Sequence, residues 1–172
     1  MSLLTIRDLT IFHNKQNILK NINLKLNTAE IIGIAGGSGS GKTTLLNSIL
    51  HLLPQDFNIQ GEIHWQDKNL YDLKTKQLTH IYGKEIAFIS QNPQTFFCPV
   101  RTIKSQFIET ISAHQKITAD EIISQTLDIF TKIGLNDGKN ILNAYPFMLS
   151  GGMNQRINIA LTMMLKPQLL IA

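Results

Sequence analysis

The fold is decided by residues 31–43, which are Ile31-Ile32-Gly33-Ile34-Ala35-Gly36-Gly37-Ser38-Gly39-Ser40-Gly41-Lys42-Thr43. The first five residues form a short, continuously apolar run, which is typical of a strand buried on both faces of a parallel sheet. A loop rich in glycine and serine follows, and residues 42–53 have the pattern of a helix that ends before Pro54. The stretch therefore predicts a strand, a loop and a helix in direct succession.

The loop within this stretch, residues 36–43, matches the pattern G-x-x-x-x-G-K-[ST]. Glycines allow backbone N–H groups to approach a phosphate without side-chain clashes, and the start of the following helix adds a positive dipole end. Lys42 supplies a full charge for the β and γ phosphates, and the hydroxyl of Thr43 is suited to Mg²⁺. The loop therefore predicts a nucleotide phosphate site, whereas a glycine-rich turn with a chance Lys-Thr pair is the alternative.

Strands are predicted on either side of this unit. Apolar residues alternate along two early segments, as half-buried antiparallel strands require, at Leu4, Ile6, Ile22, Leu24 and Leu26. Residues 27–30 predict a turn, and residues 61–65 and 85–89 predict two further strands.

The later part of the chain has helical patterns. Between 102 and 134, Thr118 and Glu121 form the pattern of a capping box, and Gly134 fits a helix end. The apolar face of this helix is predicted to contain Ile123, Leu127 and Phe130. A last helix is predicted from Ser150, followed by a buried strand at 169–172; its buried side is predicted to contain Ile157, Leu161 and Met164.

Composition excludes several classes of protein. With 172 residues, 43% hydrophobic and 16% charged, the chain is expected to be globular and to form one ordinary domain. We expect a cytoplasmic location because there is no apolar run near the roughly 18 residues of a membrane span and no signal-peptide pattern. The single Cys98 agrees with a reducing compartment. The net charge of +4 comes from scattered Lys and Arg, which argues against a nucleic-acid surface.

A second motif, Leu149-Ser150-Gly151-Gly152-Met153-Asn154-Gln155-Arg156, is by itself equally consistent with a flexible turn and a helix cap. Together with the loop at 36–44 and with Gln91 after a predicted strand, however, it resembles the signature, Walker A and Q-loop motifs of ABC ATPases. Residues 83–93, 145–156 and 166–172 resemble the oligopeptide, dipeptide and nickel importer ATPases of that family. The resemblance covers essentially the whole chain.

The resemblance implies an α/β P-loop NTPase core with an antiparallel β subdomain and an inserted helical subdomain, incomplete at its C-terminal side. We expect the sheet and P-loop core in 1–93, the helical subdomain in 94–149, and the signature helix with the start of the Walker B strand in 150–172. The Walker B Asp, the catalytic Glu and the switch His are expected after Ala172. The 172-residue chain is therefore expected to bind ATP without hydrolysing it alone.

The resemblance also implies the roles of individual residues. ATP is expected on Gly36, Gly37, Ser38, Gly39, Ser40, Gly41, Lys42, Thr43 and Thr44, with Mg²⁺ on Thr43 and Gln91. Gln91 is the expected catalytic residue of the Q-loop, which also reports the nucleotide state. The signature residues are expected to contact ATP on a partner subunit: Leu149, Ser150, Gly151, Gly152, Met153 and Gln155. Ala29 and Gly37 depart from the residues that the family usually has there.

Two assignments stay open between alternatives. An aromatic ring near the end of the first strand stacks on adenine in this family; counting back from Lys42 gives His13, but we favour its neighbour Phe12, which could also simply be core. Phe96 and Phe97 either contact the coupling helix of a permease or pack under the helical block.

The expected partners are a second ABC ATPase subunit, in a homo- or heterodimer, and integral-membrane permease subunits. An extracytoplasmic substrate-binding protein would act indirectly, and no nucleic acid is expected. This places the chain at the cytoplasmic face of the membrane, in an importer for peptides, nickel or related small cargo. The alternative is a soluble ABC-type ATPase of DNA repair or translation, but the repair type carries a long coiled-coil insertion between the Walker A and signature motifs that is absent here.

Overall fold

The computed structural model describes residues 2–90 and 96–172. The chain divides into two compact units, Met1–Thr79 and His80–Ala172, and each is described by itself. Neither expected subdomain boundary, 93/94 or 149/150, coincides with this division, so the expected subdomains remain a prediction. No helix within the described residues is long and apolar enough to cross a membrane.

The first unit is built on a four-stranded antiparallel sheet in the order β2-β1-β3-β4. The strands are β1 (Ser2–His13), β2 (Gln16–Asn27), β3 (Phe57–Trp65) and β4 (Lys68–Asn69). The predicted alternation is confirmed by the register, in which Leu4 pairs with Leu26 and Ile6 with Leu24. The strand predicted at 61–65 is present and begins earlier, at Phe57.

An irregularity in β1 lets two sets of apolar residues face the same side of the sheet. The register between β1 and β3 shifts between Arg7 and Thr10, and Asp8 has a left-handed φ of 48°. Gly61 lies opposite with a φ of 93°, and a Cβ there would be 2.6 Å from the carbonyl oxygens of Arg7 and Asp8. Because the bulge inserts a residue, apolar positions before and after it are all buried, namely Leu4, Ile6, Leu9 and Ile11.

The strand predicted at 31–35 is wrong for this structure. Residues 30–37 have no regular secondary structure, and Ile31 is 97% exposed. A strand buried on both faces requires hydrogen-bonded neighbours, and no ladder within the described residues includes this segment. The apolar composition of this segment predicted that it is buried, but the described residues do not bury it.

The helix after the glycine-rich loop, α1, spans Lys42–Ile49 and ends earlier than predicted. His51 adopts a left-handed φ of 56°, which stops the helix before Pro54 is reached. The ring of Tyr71, from a 3₁₀ turn at Leu70–Asp72, stacks on His51 with centroids 4.1 Å apart, and its hydroxyl donates to the Ser48 carbonyl at 2.8 Å. Burial raises the pKa of Tyr71 to about 12 and lowers that of His51.

Among its described residues, the second unit contains four α-helices and a small parallel sheet. The helices are α3 (Ile103–His114), α4 (Ala119–Lys132), α5 (Gly138–Asn143) and α6 (Gly151–Leu165), and α2 (Thr75–Ile81) crosses the division between the units. Their shared core includes Phe107 and Phe130 in an edge-to-face contact, with ring centroids 5.7 Å apart. The strands predicted at 85–89 and 169–172 are present as β5 (Ile86–Phe88) and β6 (Leu169–Ile171). The structure shows in addition that the two strands pair in parallel. Leu170 is 49% exposed, so β6 is buried on one face only.

The predicted ends of α4 are confirmed. The Thr118 hydroxyl accepts from the Glu121 N–H while the Glu121 side chain accepts from the Thr118 N–H, which completes the capping box. Gly134 has a φ of 74° just after the helix. The buried face is centred on Ile122, Thr126 and Phe130, with the predicted Ile123 and Leu127 partly buried beside it. In α6 all three predicted residues are buried: Ile157, Leu161 and Met164.

Candidate functional site: the phosphate loop and the signature helix

The glycine-rich loop at residues 36–43, called the phosphate loop below after its predicted ligand, is an exposed turn that leads directly into α1. Gly39 and Gly41 have φ values of 77° and 87°, and Gly41 is the N-cap of the helix. Ser40 donates its N–H to the Gly37 carbonyl at 3.3 Å, which closes the turn. Only glycine adopts these backbone angles without strain, so the predicted pattern has a direct conformational reason.

The loop is closely packed on one side and open on the other. A Cβ at Gly41 would lie 2.6 Å from Leu19 Cδ2, and one at Gly36 would lie 2.7 Å from Ser40 Oγ. By contrast, a Cβ at Gly37 would meet nothing within 4 Å, so the outer side of the loop is open. The loop thus packs its inner side against β2 and presents its backbone to solvent, as a cradle for an anion requires.

Lys42 is held by the loop that it follows. Its Nζ donates to the carbonyls of Gly36 and Gly37, both at 2.7 Å, and to Ser40 Oγ at 3.3 Å. The ammonium group is therefore bonded to oxygen atoms of the loop, and a phosphate bound there would compete with them for it. Thr43 is exposed, which leaves its hydroxyl accessible for a metal ion, and Thr44 is half-buried. A triphosphate with Mg²⁺ fits this donor set.

Phe12 and His13 lie on opposite faces of the sheet. In the regular register between β1 and β3, Ile11 pairs with Ile59, Phe12 with Asn58 and His13 with Phe57. Side chains alternate along a strand, so His13 shares a face with Ile11. Ile11 also pairs with Leu19, the residue that a Cβ at Gly41 would meet. The register therefore favours His13 over Phe12 as the ring on the phosphate-loop side.

His13 has three partners that the sequence did not indicate. Its ring stacks on Phe57 with centroids 4.5 Å apart and an interplanar angle of 16°. Its Nε2 lies 2.7 Å from Asp56 Oδ2 and 3.3 Å from Asn14 Nδ2. Asp56 and Phe57 are far from His13 in the chain, and only the pairing of β1 with β3 brings them together.

The second motif forms the N-terminus of α6, as predicted. The Ser150 side chain caps the helix by accepting from the Met153 N–H at 3.2 Å. Gly151, Gly152 and Gln155 are exposed, while Leu149 and Met153 are half-buried against the helical core. The exposed N–H groups at this helix end form a second place where an anion is favoured. This helix belongs to the second unit and the phosphate loop to the first.

Two residues of the motif hold this helix end within the second unit. Arg156 Nη1 donates to the Gly134 carbonyl at 3.1 Å and to the Ile133 carbonyl at 3.5 Å, at the C-terminal end of α4. Asn154 Nδ2 donates to the Pro146 carbonyl at 2.9 Å. A cation at a helix C-terminus is favoured by the helix dipole, so Arg156 joins α6 to α4.

Of the two adjacent phenylalanines, one packs under the helices, and the contact with a permease stays a prediction. Phe97 is 3% exposed and belongs to the helical core, whereas Phe96 is 41% exposed and contacts the Phe97 ring edge-on. The loop after them is held to α3 because the Gln106 amide bonds to both the N–H and the carbonyl of Cys98. Phe97 thus packs under the helices, and Phe96 remains available at the surface.

Gln91 lies outside the described residues, so its position on the Q-loop stays a prediction. Among residues 2–90 and 96–172, no group of three or more His, Cys, Asp or Glu side chains could hold a metal ion. The described candidate ligand for Mg²⁺ is therefore the Thr43 hydroxyl, together with whatever a bound nucleotide contributes.

The sequence of this chain is similar to those of known ATP-binding proteins of transport systems. The family model described as "ABC transporter" matches residues 19–172. The metal-staphylopine import system ATP-binding protein CntD of Staphylococcus aureus is 38% identical over 174 residues, covering 100% of this chain and 64% of that protein. The oligopeptide transport ATP-binding protein AmiE of Streptococcus pneumoniae is 37% identical over 175 residues, covering 98% of this chain and 49% of that protein.

A solved structure supports the same fold. The ATP-binding cassette MJ0796, in a dimeric post-hydrolysis state bound to ADP and Pi, superposes with a TM-score of 0.81 at 26% identity. The match covers 97% of this chain and 72% of that one. The chain spans between about half and two thirds of the length of the two import proteins, 49% and 64%.

Proposed function

The chain belongs to the ABC transporter family, and we propose that it binds ATP with Mg²⁺ through the loop at 36–44 as part of an importer ATPase. The observation that carries the proposal is the loop itself. Two of its glycines have left-handed backbone angles, and Lys42 Nζ donates to the Gly36 carbonyl. The open side at Gly37 is where the β and γ phosphates would lie. The Thr43 hydroxyl would ligate Mg²⁺, which supplies charge neutralisation of the phosphates when bound.

The importer assignment rests on the relatives. Their printed names describe ATP-binding proteins of import or transport systems for metal-staphylopine and for oligopeptides. We infer that the whole protein couples ATP binding and hydrolysis to a membrane permease at the cytoplasmic face of the membrane. The cargo would be a peptide, a metal chelate such as a nickel complex, or related small cargo, delivered by an extracytoplasmic substrate-binding protein.

A second ATPase subunit is part of the proposal. The solved relative is a dimer, and the exposed N-terminus of α6 suits the γ-phosphate of a nucleotide held by a partner's loop. Leu149, Ser150, Gly151, Gly152, Met153 and Gln155 would form this contact. Gln91 would serve as the Q-loop residue near Mg²⁺ and the attacking water.

The experiment is a comparison of ATP binding by the parent chain and by Lys42→Ala. Removing the ammonium group should weaken binding by about tenfold or more, because hydrogen bonds to charged groups contribute about 1.5–3 kcal/mol. Lys68→Ala, which removes an exposed charge from the edge strand β4, is the matched control and should bind like the parent. Unchanged ATP affinity in Lys42→Ala would place the site elsewhere. Tight DNA or RNA binding with a steep salt dependence would instead favour the repair or translation class.

A further inference from the structure

The geometry points to a composite platform for the purine base, in which Asp56 holds the His13 ring and Phe57 supports it from one side. The inference rests on the proposed nucleotide site, where the family resemblance already implies that Phe12 or His13 stacks on adenine. What it adds is two residues, Asp56 and Phe57. In this arrangement the imidazole of His13 contacts the base, Phe57 extends the stacked surface, and Asp56 is a positioning residue that acts through His13.

The stacked pair is an intrinsic feature of the sheet. His13 and Phe57 are directly opposite each other in the register between β1 and β3, so their side chains project from the same face. The nearly parallel rings, at 16° and 4.5 Å, form one continuous aromatic surface. The His13 side chain is 35% exposed, so part of the surface is open to a ligand. A base that binds to it would continue an existing stack.

Asp56 fixes the orientation of the imidazole. A carboxylate only accepts hydrogen bonds, so in the 2.7 Å contact the N–H at His13 Nε2 is the donor and Asp56 Oδ2 the acceptor, with Asn14 Nδ2 3.3 Å from the same ring nitrogen. The bond also opposes rotation of the ring out of its stack with Phe57. A ring that is already held loses less conformational freedom when a base stacks on it, which favours binding.

The platform is on the side of the sheet where the phosphate loop packs. Leu19 lies against Gly41 and pairs with Ile11, which shares a face with His13. His13 is two residues beyond Ile11, or about 7 Å along the strand. A nucleotide whose phosphates occupy the loop could therefore extend its base along this face, whereas Phe12 projects from the opposite face beside Asn58.

The hydrogen bond of Asp56 contributes little to folding. The side chains of His13 and Asp56 are 35% and 55% exposed, and exposed pairs of this kind stabilise proteins only weakly. A change at Asp56 should therefore leave the melting temperature unchanged. This separates its effect on base binding from an effect on the fold.

The test compares two ligands of the full chain, ATP and inorganic tripolyphosphate, which has the phosphates but no base. His13→Ala should weaken ATP binding by about tenfold, since a base–aromatic stack is worth about 1–3 kcal/mol, and should leave tripolyphosphate binding unchanged. Asp56→Ala should lower ATP affinity several-fold with the same selectivity for ATP. Phe12→Ala is the matched control and should keep the parent ratio of the two affinities.

A double substitution separates positioning from structure. In a His13→Phe background the ring no longer needs a carboxylate partner, so adding Asp56→Ala should have no further effect on ATP binding. The inference would be overturned if Asp56→Ala weakened ATP and tripolyphosphate binding equally, or weakened neither. It would also be overturned if Asp56→Ala weakened ATP binding as much in the His13→Phe background as in the parent. A loss of ATP binding alone in Phe12→Ala would contradict it as well. Lys42→Ala distinguishes the failure of this inference from the failure of the proposed function. If Lys42→Ala still binds ATP and tripolyphosphate like the parent, the nucleotide site itself is misplaced. If Lys42→Ala loses both ligands but His13→Ala binds ATP like the parent, only the platform is wrong.

Discussion

At the scale of single residues, the glycines of the phosphate loop differ in what they tolerate. Gly41 has a φ of 87° and abuts Leu19 Cδ2 and the Ile18 carbonyl, whereas Gly37 has open space around it. Gly41→Ala should destabilise the chain by about 1–2 kcal/mol, the cost of a left-handed conformation for a residue with a Cβ, and more where Leu19 does not move. Gly37→Ala, the matched control, should change stability by less than about 0.5 kcal/mol.

Urea denaturation of Gly41→Ala and Gly37→Ala measures the difference in their free energies of unfolding. The ATP affinity of both variants, measured in parallel, shows whether the site is affected as well. Equal stability of the two alanine variants would mean that the turn at Gly41 is not formed as described.

Ala29 is a related case, since it takes a left-handed φ of 60° at the residue where the family usually has glycine. The sequence comparison could identify this departure, but only the backbone angle explains why glycine is the usual residue there.

At the scale of elements, the capping box of α4 links stability to pH. The backbone N–H of Thr118 and then its hydroxyl donate to the Glu121 carboxylate, and these bonds lower the pKa of Glu121 below its ordinary value of 4.5. A carboxylate whose pKa is lower in the folded state stabilises the fold above its unfolded pKa. That contribution is lost as the pH falls through the lowered folded value.

Glu121→Gln should therefore reduce the loss of stability between about pH 4.5 and more acidic values. Stability measured by denaturant at several pH values checks this. Asp128→Asn removes an exposed carboxylate from the same helix without touching the cap, so it should retain the parent pH dependence. If the glutamine variant follows the parent curve throughout, the carboxylate is not bonded to Thr118 in solution.

The elements that the sequence predicted well are those with local signals. The capping box at Thr118, the stop at Gly134 and the Ser150 cap each depend on residues within one turn, so their patterns were sufficient. The end of α1 was missed because Pro54 suggested a later stop than the left-handed His51 gives. The segment 31–35 was predicted from apolar composition alone, and a strand also needs neighbours along its edges.

At the scale of the whole molecule, the site depends on contacts between distant residues. The turn and helix start at residues 36–43 were predictable because these eight residues are contiguous. The pairing of His13 with Phe57, by contrast, depends on the register between β1 and β3. That register is set partly by the bulge at Asp8, which no simple alternation predicts. For the same reason, the choice between Phe12 and His13 needed the register as well as the sequence.

A polypeptide of residues 1–172 should bind ATP without turning it over. The resemblance places the Walker B Asp, the catalytic Glu and the switch His outside these residues, and general-base catalysis contributes about 10²–10⁴-fold to a rate. Binding should still be measurable, because ATP at about 100 times its Kd adds about 2.7 kcal/mol to the free energy of unfolding and so raises the Tm. Phosphate release with Mg-ATP, compared with Lys42→Ala, is the second measurement. Turnover at about 1–10³ per second that Lys42→Ala abolishes would contradict the prediction, because the carboxylates needed for hydrolysis would then lie within these residues.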